Sequence, residues 1–254
     1  MATNDPVAGY DAHGHGYAEH RRADHRIAAM IEAALGGARS VVNVGAGAGS
    51  YEPTDPAVIA IEPSATMRAQ RPLDLPPAIA GVAESLPLDD DSVDAAMAVL
   101  TVHHWTDPDA GLREMRRVAR GAVAVLSFDF RAEARTWLVR DYLPELEEFD
   151  RDLVPSPEEI AEVLGGGRID TVPVPGDCTD HFMLGLLTRP EEYLRPEVRA
   201  AQSGWRLLGA DLEGRAAAAL ARDLESGAWD ERNGAWRELD SYDGGLRLIV
   251  STPG

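Results

Sequence analysis

The chain has 254 residues and 24 basic against 43 acidic side chains, a formal net charge of −19. That length suits one large domain or a domain carrying an insertion, and a 44% hydrophobic fraction is ordinary for a globular protein. A body of that charge repels a phosphate backbone and an anionic membrane, and no arginine cluster opposes the field, so a small molecule is the expected partner. No apolar run approaches the roughly 18 residues of a membrane span, and no signal-peptide core opens the chain, so a cytoplasmic location is expected. The lone Cys178 excludes an internal disulfide and cysteine-rich metal sites. All 24 basic residues are arginine. A chain without lysine has no Walker A ammonium, no Schiff-base amine and no Tyr-x-x-x-Lys dehydrogenase pair.

In chain order, residues 1–26 are polar and rich in glycine, histidine and tyrosine. The spacing of Ile27, Met30, Ile31, Ala34 and Leu35 predicts a helix, stopped by Gly36-Gly37. Ser40–Val44 and Ala57–Ile61 are β-branched runs that predict buried strands, and Ala78–Val82 is a weaker third. Val93–Leu100 predicts a fourth. Asp107-Pro108 then supplies an N-cap and a proline at the first helical position, with Leu112, Met115, Val118 and Ala119 on one face. Gly121–Phe128 is the fifth strand. Strand and helix alternating at this spacing predict a parallel sheet with helices on both faces.

Residues 131–166 read as helical and include a capping box at Ser156-Pro157-Glu158-Glu159. Arg168–Val174 and Leu246–Ser251 predict two final strands. Between them, Thr188-Arg189-Pro190-Glu191 opens one helix, and Leu208, Leu212, Ala216, Leu220 and Leu224 form a stripe at steps of four on another. The long helical stretch reads as an inserted cap over about residues 176–244.

The sharpest chemical signal is Val41-Val42-Asn43-Val44-Gly45-Ala46-Gly47-Ala48-Gly49, a strand running straight into G-x-G-x-G. Glycine there lets the backbone turn tightly and approach a ligand. Alone the motif also fits a plain strand-to-helix turn. Glu62, 17 residues after Gly45 at the end of the next strand, is placed to accept both hydroxyls of an adenosine ribose. Together the two point to an adenosine-bearing cofactor.

With these in register, the sequence resembles the class I S-adenosylmethionine-dependent methyltransferases of the small-molecule type (methyltransferase type 11-like). The segments that carry the resemblance are VVNVGAGAGS, IAIEPSATM, GVAESLPLDDDSVDAAMAVLTVHHWTD and LREMRRVARGAVAVLSFD, within roughly residues 10–128. The resemblance implies a doubly wound, seven-stranded Rossmann-like sheet over residues 37–254, its last strand antiparallel. An N-terminal lid and helix over 1–36 and the helical cap insertion would flank the cofactor. It implies methyl transfer from S-adenosyl-L-methionine, leaving S-adenosyl-L-homocysteine, to an oxygen, nitrogen or carbon of a small acceptor.

Residue by residue, the resemblance places Gly45, Ala46 and Gly47 against the methionine portion and Glu62 on the ribose. Met67 would pack on the adenine face, and Ala83 and Glu84 would meet the adenine edge. Leu100 would offer its carbonyl to the methionine amine. Tyr17 and Arg21 match a Tyr-x-x-x-Arg pattern whose arginine faces the cofactor carboxylate. Two positions depart from the pattern: Asn43 stands where relatives usually carry Asp, and Val82 where they carry Asp before Ala-Glu.

His13, His15, His20 and His25 cluster early, and the glycine spacers among them favour a lid over a metal site. His103 and His104 follow the fourth strand at the edge where such sheets bind ligands, and His181 lies in the cap; these are the candidates for orienting the nucleophile or accepting its proton. The alternative for each is a structural ring beside Trp105 or in the core. Trp105, Trp137, Tyr142, His181, Phe182 and Trp205 are candidates for an apolar pocket, with half of them expected to be ordinary core. Other readings are a cofactor-binding subunit that transfers nothing, an enzyme that uses the sulfonium charge to steer a rearrangement, and an NAD-dependent oxidoreductase. Ser50, where a dinucleotide fingerprint needs glycine, weighs against the last.

Overall fold

Short runs of valine, isoleucine and alanine, apolar on both faces, form the strands of a sheet covered on both sides. The computed structural model describes residues 21–147 and 154–253. Strands β1 (Ser40–Val44), β2 (Ala57–Ile61), β3 (Ala95–Val99), β4 (Val123–Phe128), β5 (Arg168–Thr171), β6 (Val174–Pro175), β7 (Ser241–Tyr242) and β8 (Leu246–Ser251) follow in chain order. Six of them form one sheet in the order β2-β1-β3-β4-β8-β5, and β6 and β7 form a small ribbon. The pairs β1·β2, β1·β3 and β3·β4 are parallel, while β8 runs antiparallel to both its neighbours, β4 and β5.

The sheet has six strands where seven are expected. At the anticipated third strand, Ile79 alone pairs with Ile61, its N–H donating to Ala60 O at 2.8 Å and its carbonyl accepting from Glu62 N at 3.0 Å. Pro76 and Pro77 have no N–H to extend the ladder, and Val82 turns back to bridge Ser85. The expected strand over 168–174 is likewise divided. Pro173 interrupts it, and Val174 pairs with Tyr242 instead of with β8.

Helix α1 (His25–Ala34) carries Asp24 as N-cap; α2 (Ala65–Ala69) follows β2, and α3 (Pro108–Val118) opens on Asp107, whose carboxylate accepts from Ala110 N at 3.0 Å. Among the described residues the helical reading of 131–166 includes α4 (Phe130–Glu133), α5 (Trp137–Tyr142) and α6 (Pro157–Val163), the last with the full capping box of Ser156 and Glu159. Between β6 and β7 lie α7 (Pro196–Ala200), α8 (Ser203–Ser226) and α9 (Ala228–Asn233), together with short 3-10 turns. Gly209 breaks the regularity of α8 at a φ of 76°. The leucine stripe faces inward, with Leu208, Ala216 and Leu220 buried and Leu212 and Leu224 half-buried.

Alternation along the strands makes two cores. Val41, Ala95, Met97, Ala124 and Leu126 pack with α1, α5 and the inserted segment; Trp137 of α5 and Tyr193, Trp205 and Trp229 of the insertion are fully buried. Val42, Val44, Ala96, Ala98 and Val125 pack on the other face against Leu112 and Met115 of α3 and Ile160 of α6. Trp137 and Trp205 are thus core. Tyr142 is too, its ring edge-on to Trp137 and its hydroxyl donating to Asp223 at 2.8 Å. Among the described residues no helix is long and apolar enough to cross a membrane.

Candidate active site

Strands β2 and β3 flank β1, so the direction of chain crossover reverses at β1 and a crevice opens at the carboxyl ends of the three strands. One cavity occupies it. The turn after β1 supplies Gly45, Ala46, Gly47, Ala48, Ser50 and Tyr51; the end of β2 and α2 supply Glu62, Ser64 and Met67. Ala83 and Glu84 close one side, and Leu100, Thr101, His104 and Trp105 line it from the end of β3. Arg21 reaches in from the N-terminal segment.

The glycines do what their type suggests. Gly45 and Gly47 have φ of 71° and 54°, in the left-handed region where a Cβ is disfavoured. A Cβ on Gly45 would also run into the Thr101 hydroxyl. The turn is held from behind, since Gly45 N and Ala46 N both donate to Ile61 O at 2.9 Å. Leu100, which has a side chain, also sits left-handed at φ 52°, so the chain leaves β3 at a sharp angle beside the cavity.

Glu62 is buried, and its two oxygens are fixed separately. Oε2 accepts from Gly47 N and Oε1 from Ser64 N, each at 2.8 Å. Burial pushes its pKa up, and the two backbone hydrogen bonds oppose that shift. The carboxylate is an acceptor-only group with lone pairs to spare, which suits a vicinal diol. Met67, buried and close to the space above Gly47, lines the same wall.

Asn43 departs from the familiar acid for a local reason. Its Nδ2 donates to Glu52 Oε1 at 2.9 Å, and Glu52 pairs at 2.7 Å with Arg71, both side chains being almost wholly buried. An aspartate at 43 would set two carboxylates face to face. Glu84 lines the cavity, and its Oε1 also accepts from Thr106 N at 2.8 Å and Asp107 N at 3.1 Å, which fixes the entry to α3. Val82 is exposed at the rim.

The histidines separate. His104 lines the cavity, and His103 packs against it with ring centroids 3.9 Å apart and the ring planes tilted by 50°. His103 also faces Phe128 at 5.9 Å, and Phe128 faces Phe182 at 6.4 Å, so these rings lead from the cofactor cavity toward the inserted helices. Burial first, and the Arg21 charge second, push the His103 imidazole down to about 4. Its Nδ1 is buried with no hydrogen-bond partner. His181 is placed away from the cavity lining, its carbonyl accepting from Gln202 Nε2 at 2.9 Å. Tyr17, His13, His15 and His20 lie outside the described residues; His25 begins α1 on its exposed side. Among the described residues no cluster of three or more His, Cys, Asp or Glu is arranged to hold a metal.

Sequence reasoning missed Thr101, which fits against Gly45, and Ser64, which caps α2 and orients Glu62. It also missed Asp180, fully buried and bound to Arg21. Ser64 was legible as an N-cap residue after Glu62; Asp180 was not, because 159 residues separate it from its partner.

Residues 42–125 match the family model described as "Methyltransferase domain". A solved structure described as a putative methyltransferase from an antibiotic biosynthesis pathway of Anabaena variabilis is 33% identical, covers 92% of this chain and 99% of its own, and superposes with a TM-score of 0.84. Uncharacterized methyltransferases of Mycobacterium tuberculosis and Mycobacterium bovis are 36% identical over 108 residues, which is 40% of this chain. The matched region spans 44% of those curated relatives, less than half their length. With the glycine turn, the paired acid and a near full-length relative in agreement, the chain belongs to the class I S-adenosylmethionine-dependent methyltransferases.

Proposed function

We propose that the chain transfers a methyl group from S-adenosylmethionine to a small-molecule acceptor, by in-line displacement. The observation that carries this reading is the cavity at the carboxyl edge of β1, β2 and β3, where Glu62 and the glycine turn face one another. The residues fit the cofactor: an acceptor-only carboxylate for the ribose diol, glycine backbone where a side chain would collide, and Arg21 as the one arginine lining the cavity among the described residues. When bound, the cofactor supplies an electrophilic methyl on a sulfonium, which leaves as a neutral thioether.

The protein's part is alignment and exclusion of water. Holding the acceptor about 3–3.5 Å from the methyl, on the line of the departing sulfur, contributes several kcal/mol. His103 and His104, at the end of β3, orient the acceptor in this reading, and the position of His104 in the cavity lining supports it. A His103 whose conjugate acid titrates near 4 is neutral at pH 7 and offers a lone pair, but retains a proton weakly. It therefore suits hydrogen bonding to the nucleophile better than full deprotonation. His181 stands farther along the inserted segment, where acceptor contacts are expected. We assign the cap role to the helices between β6 and β7 and the lid role to residues 1–36. The biosynthetic context named for the Anabaena relative supports a small acceptor.

The test is calorimetric titration with S-adenosylmethionine and S-adenosylhomocysteine on wild type and Glu62→Ala, followed by mass detection of acceptors that gain one methyl. Binding by wild type that weakens in the variant supports the reading. Absence of binding by wild type refutes it.

A further inference from the structure

The cation in the cavity does not stand alone. Arg21 donates from Nε to Asp180 Oδ1 at 2.6 Å and from Nη2 to Oδ2 at 3.2 Å, a two-point ion pair with Asp180 fully buried. The backbones of the two residues also form an antiparallel bridge. Asp180 Oδ2 accepts a second bond, from Tyr51 OH at 3.0 Å, and Ser50 Oγ donates to Arg21 O at 3.2 Å. Ser50, Tyr51 and Arg21 all line the cavity, whereas Asp180 does not. An acid from the segment leading into the inserted helices thus holds the guanidinium from behind, on the Nε–Nη2 edge.

We propose that Asp180 is a positioning residue, which fixes Arg21 so that the opposite side of its guanidinium meets the carboxylate of the cofactor's amino-acid end. This rests on the cofactor reading above. The charges give the ligand its direction: Glu62 takes the hydroxyls, and the carboxylate goes to the arginine beside Ser50 and Tyr51. A planar guanidinium held along one edge has its plane fixed, which favours contact with a second carboxylate lying in that plane. Asp180 itself touches neither ligand nor reacting atoms.

The test compares S-adenosylhomocysteine with methylthioadenosine, which has the same adenosine but no amino-acid end, by calorimetric titration of the full chain. Asp180→Asn is expected to weaken S-adenosylhomocysteine by about tenfold or more, the scale of one charge-assisted contact, and to change methylthioadenosine by less than about twofold. A loss that is merely structural would weaken both ligands together, and that result overturns the proposal. Removing one member of a buried pair threatens folding. Tyr51→Phe is therefore measured in parallel: it deletes one bond to Asp180, keeps the ion pair, and is expected to shift the ratio of the two affinities in the same direction by a smaller factor. In an Arg21→Met background, adding Asp180→Asn is expected to leave that ratio unchanged; a further change there means that Asp180 does not act through Arg21 and refutes the assignment. Failure of wild type to bind either ligand overturns the cofactor reading itself. Binding of both with a ratio insensitive to Asp180 and Tyr51 overturns only the positioning role.

Discussion

Glu62→Gln isolates the charge and the acceptor capacity of one carboxyl group while keeping its shape. The native carboxylate accepts Gly47 N–H on one oxygen and Ser64 N–H on the other, each at 2.8 Å. Glutamine has one oxygen and one NH2 group, so in either flip one of those two backbone donors faces another donor. A buried donor left unmatched costs about 1–3 kcal/mol. In a chain of this size that corresponds to a fall in Tm of roughly 2–4 °C per kcal/mol. The cofactor loses more, because ribose hydroxyls then meet a neutral amide in place of an anion; a weakening of about tenfold is expected. Titration supplies a second signature. Burial raises the pKa of Glu62, so the folded chain holds this proton more tightly than the unfolded one. Between the ordinary carboxylate value and the folded value, the contribution of Glu62 to stability falls as pH rises. Affinity for S-adenosylhomocysteine runs the other way, rising with pH as the carboxylate forms. Both slopes should vanish in Glu62→Gln, as read by urea melts and calorimetry across that window. A variant that melts like wild type and binds the product equally well would refute the assignment of Glu62 as the diol acceptor.

Gly45→Ala puts a Cβ into the Thr101 hydroxyl at a φ of 71°, so overpacking of about 1–3 kcal/mol adds to the backbone cost and cofactor binding should be lost. Gly37→Ala is the control, since φ is 76° there but nothing lies within 4 Å of the added atom; it should show only the backbone cost of roughly 1–2 kcal/mol in a thermal melt. Asn43→Asp places a carboxylate against Glu52, and two such groups at hydrogen-bond distance cannot both ionise. The variant should be less stable than wild type at pH 7 and should recover relative to it on acidification, measured by urea unfolding at a series of pH values. For His103, a pKa near 4 predicts that this ring contributes no inflection to kcat/KM at the ordinary histidine value; any acid limb above pH 4 belongs to other groups, Glu62 among them. An acid limb near 6.5 that disappears in His103→Asn would contradict the depressed pKa.

The sequence made local chemistry visible and hid chemistry that depends on distant partners. The strands β1, β2, β3, β4 and β8, the Asp107 cap and the Ser156 capping box are all written in contiguous residues, because hydrophobic runs and capping side chains act within a few positions. The seventh strand was overcounted for the converse reason. Ala78–Val82 has strand composition, but whether it joins the ladder depends on the missing N–H groups of Pro76 and Pro77 and on the turn of Val82 toward Ser85. The single helical reading of residues 131–166 passed over breaks at Thr136 and Leu143, which cap the two ends of α5.

The same distinction governs the site. Gly45, Gly47 and Glu62 were legible because a turn demands glycine and an adenosine demands an acceptor at the end of the next strand. Asn43 reads in the sequence as a lost charge, yet the structure contains the compensating acid nine residues on. Glu52 accepts from the amide and pairs with Arg71, so a buried carboxylate still backs Asn43, with its charge balanced by the guanidinium. A pair replacing a single acid changes what the turn tolerates: Asn43 is compatible with Glu52 only because it donates. Arg21 and Asp180 follow the same logic over a longer span, with the cation in the first tenth of the chain and its anion beyond the last matched residue of the methyltransferase domain. Such pairs leave no spacing rule in one sequence, since each partner alone is a plausible surface charge. Only the fold brings them together: the Glu52–Arg71 pair backs Asn43 of the cavity wall, and Asp180 backs Arg21, which lines the cavity itself.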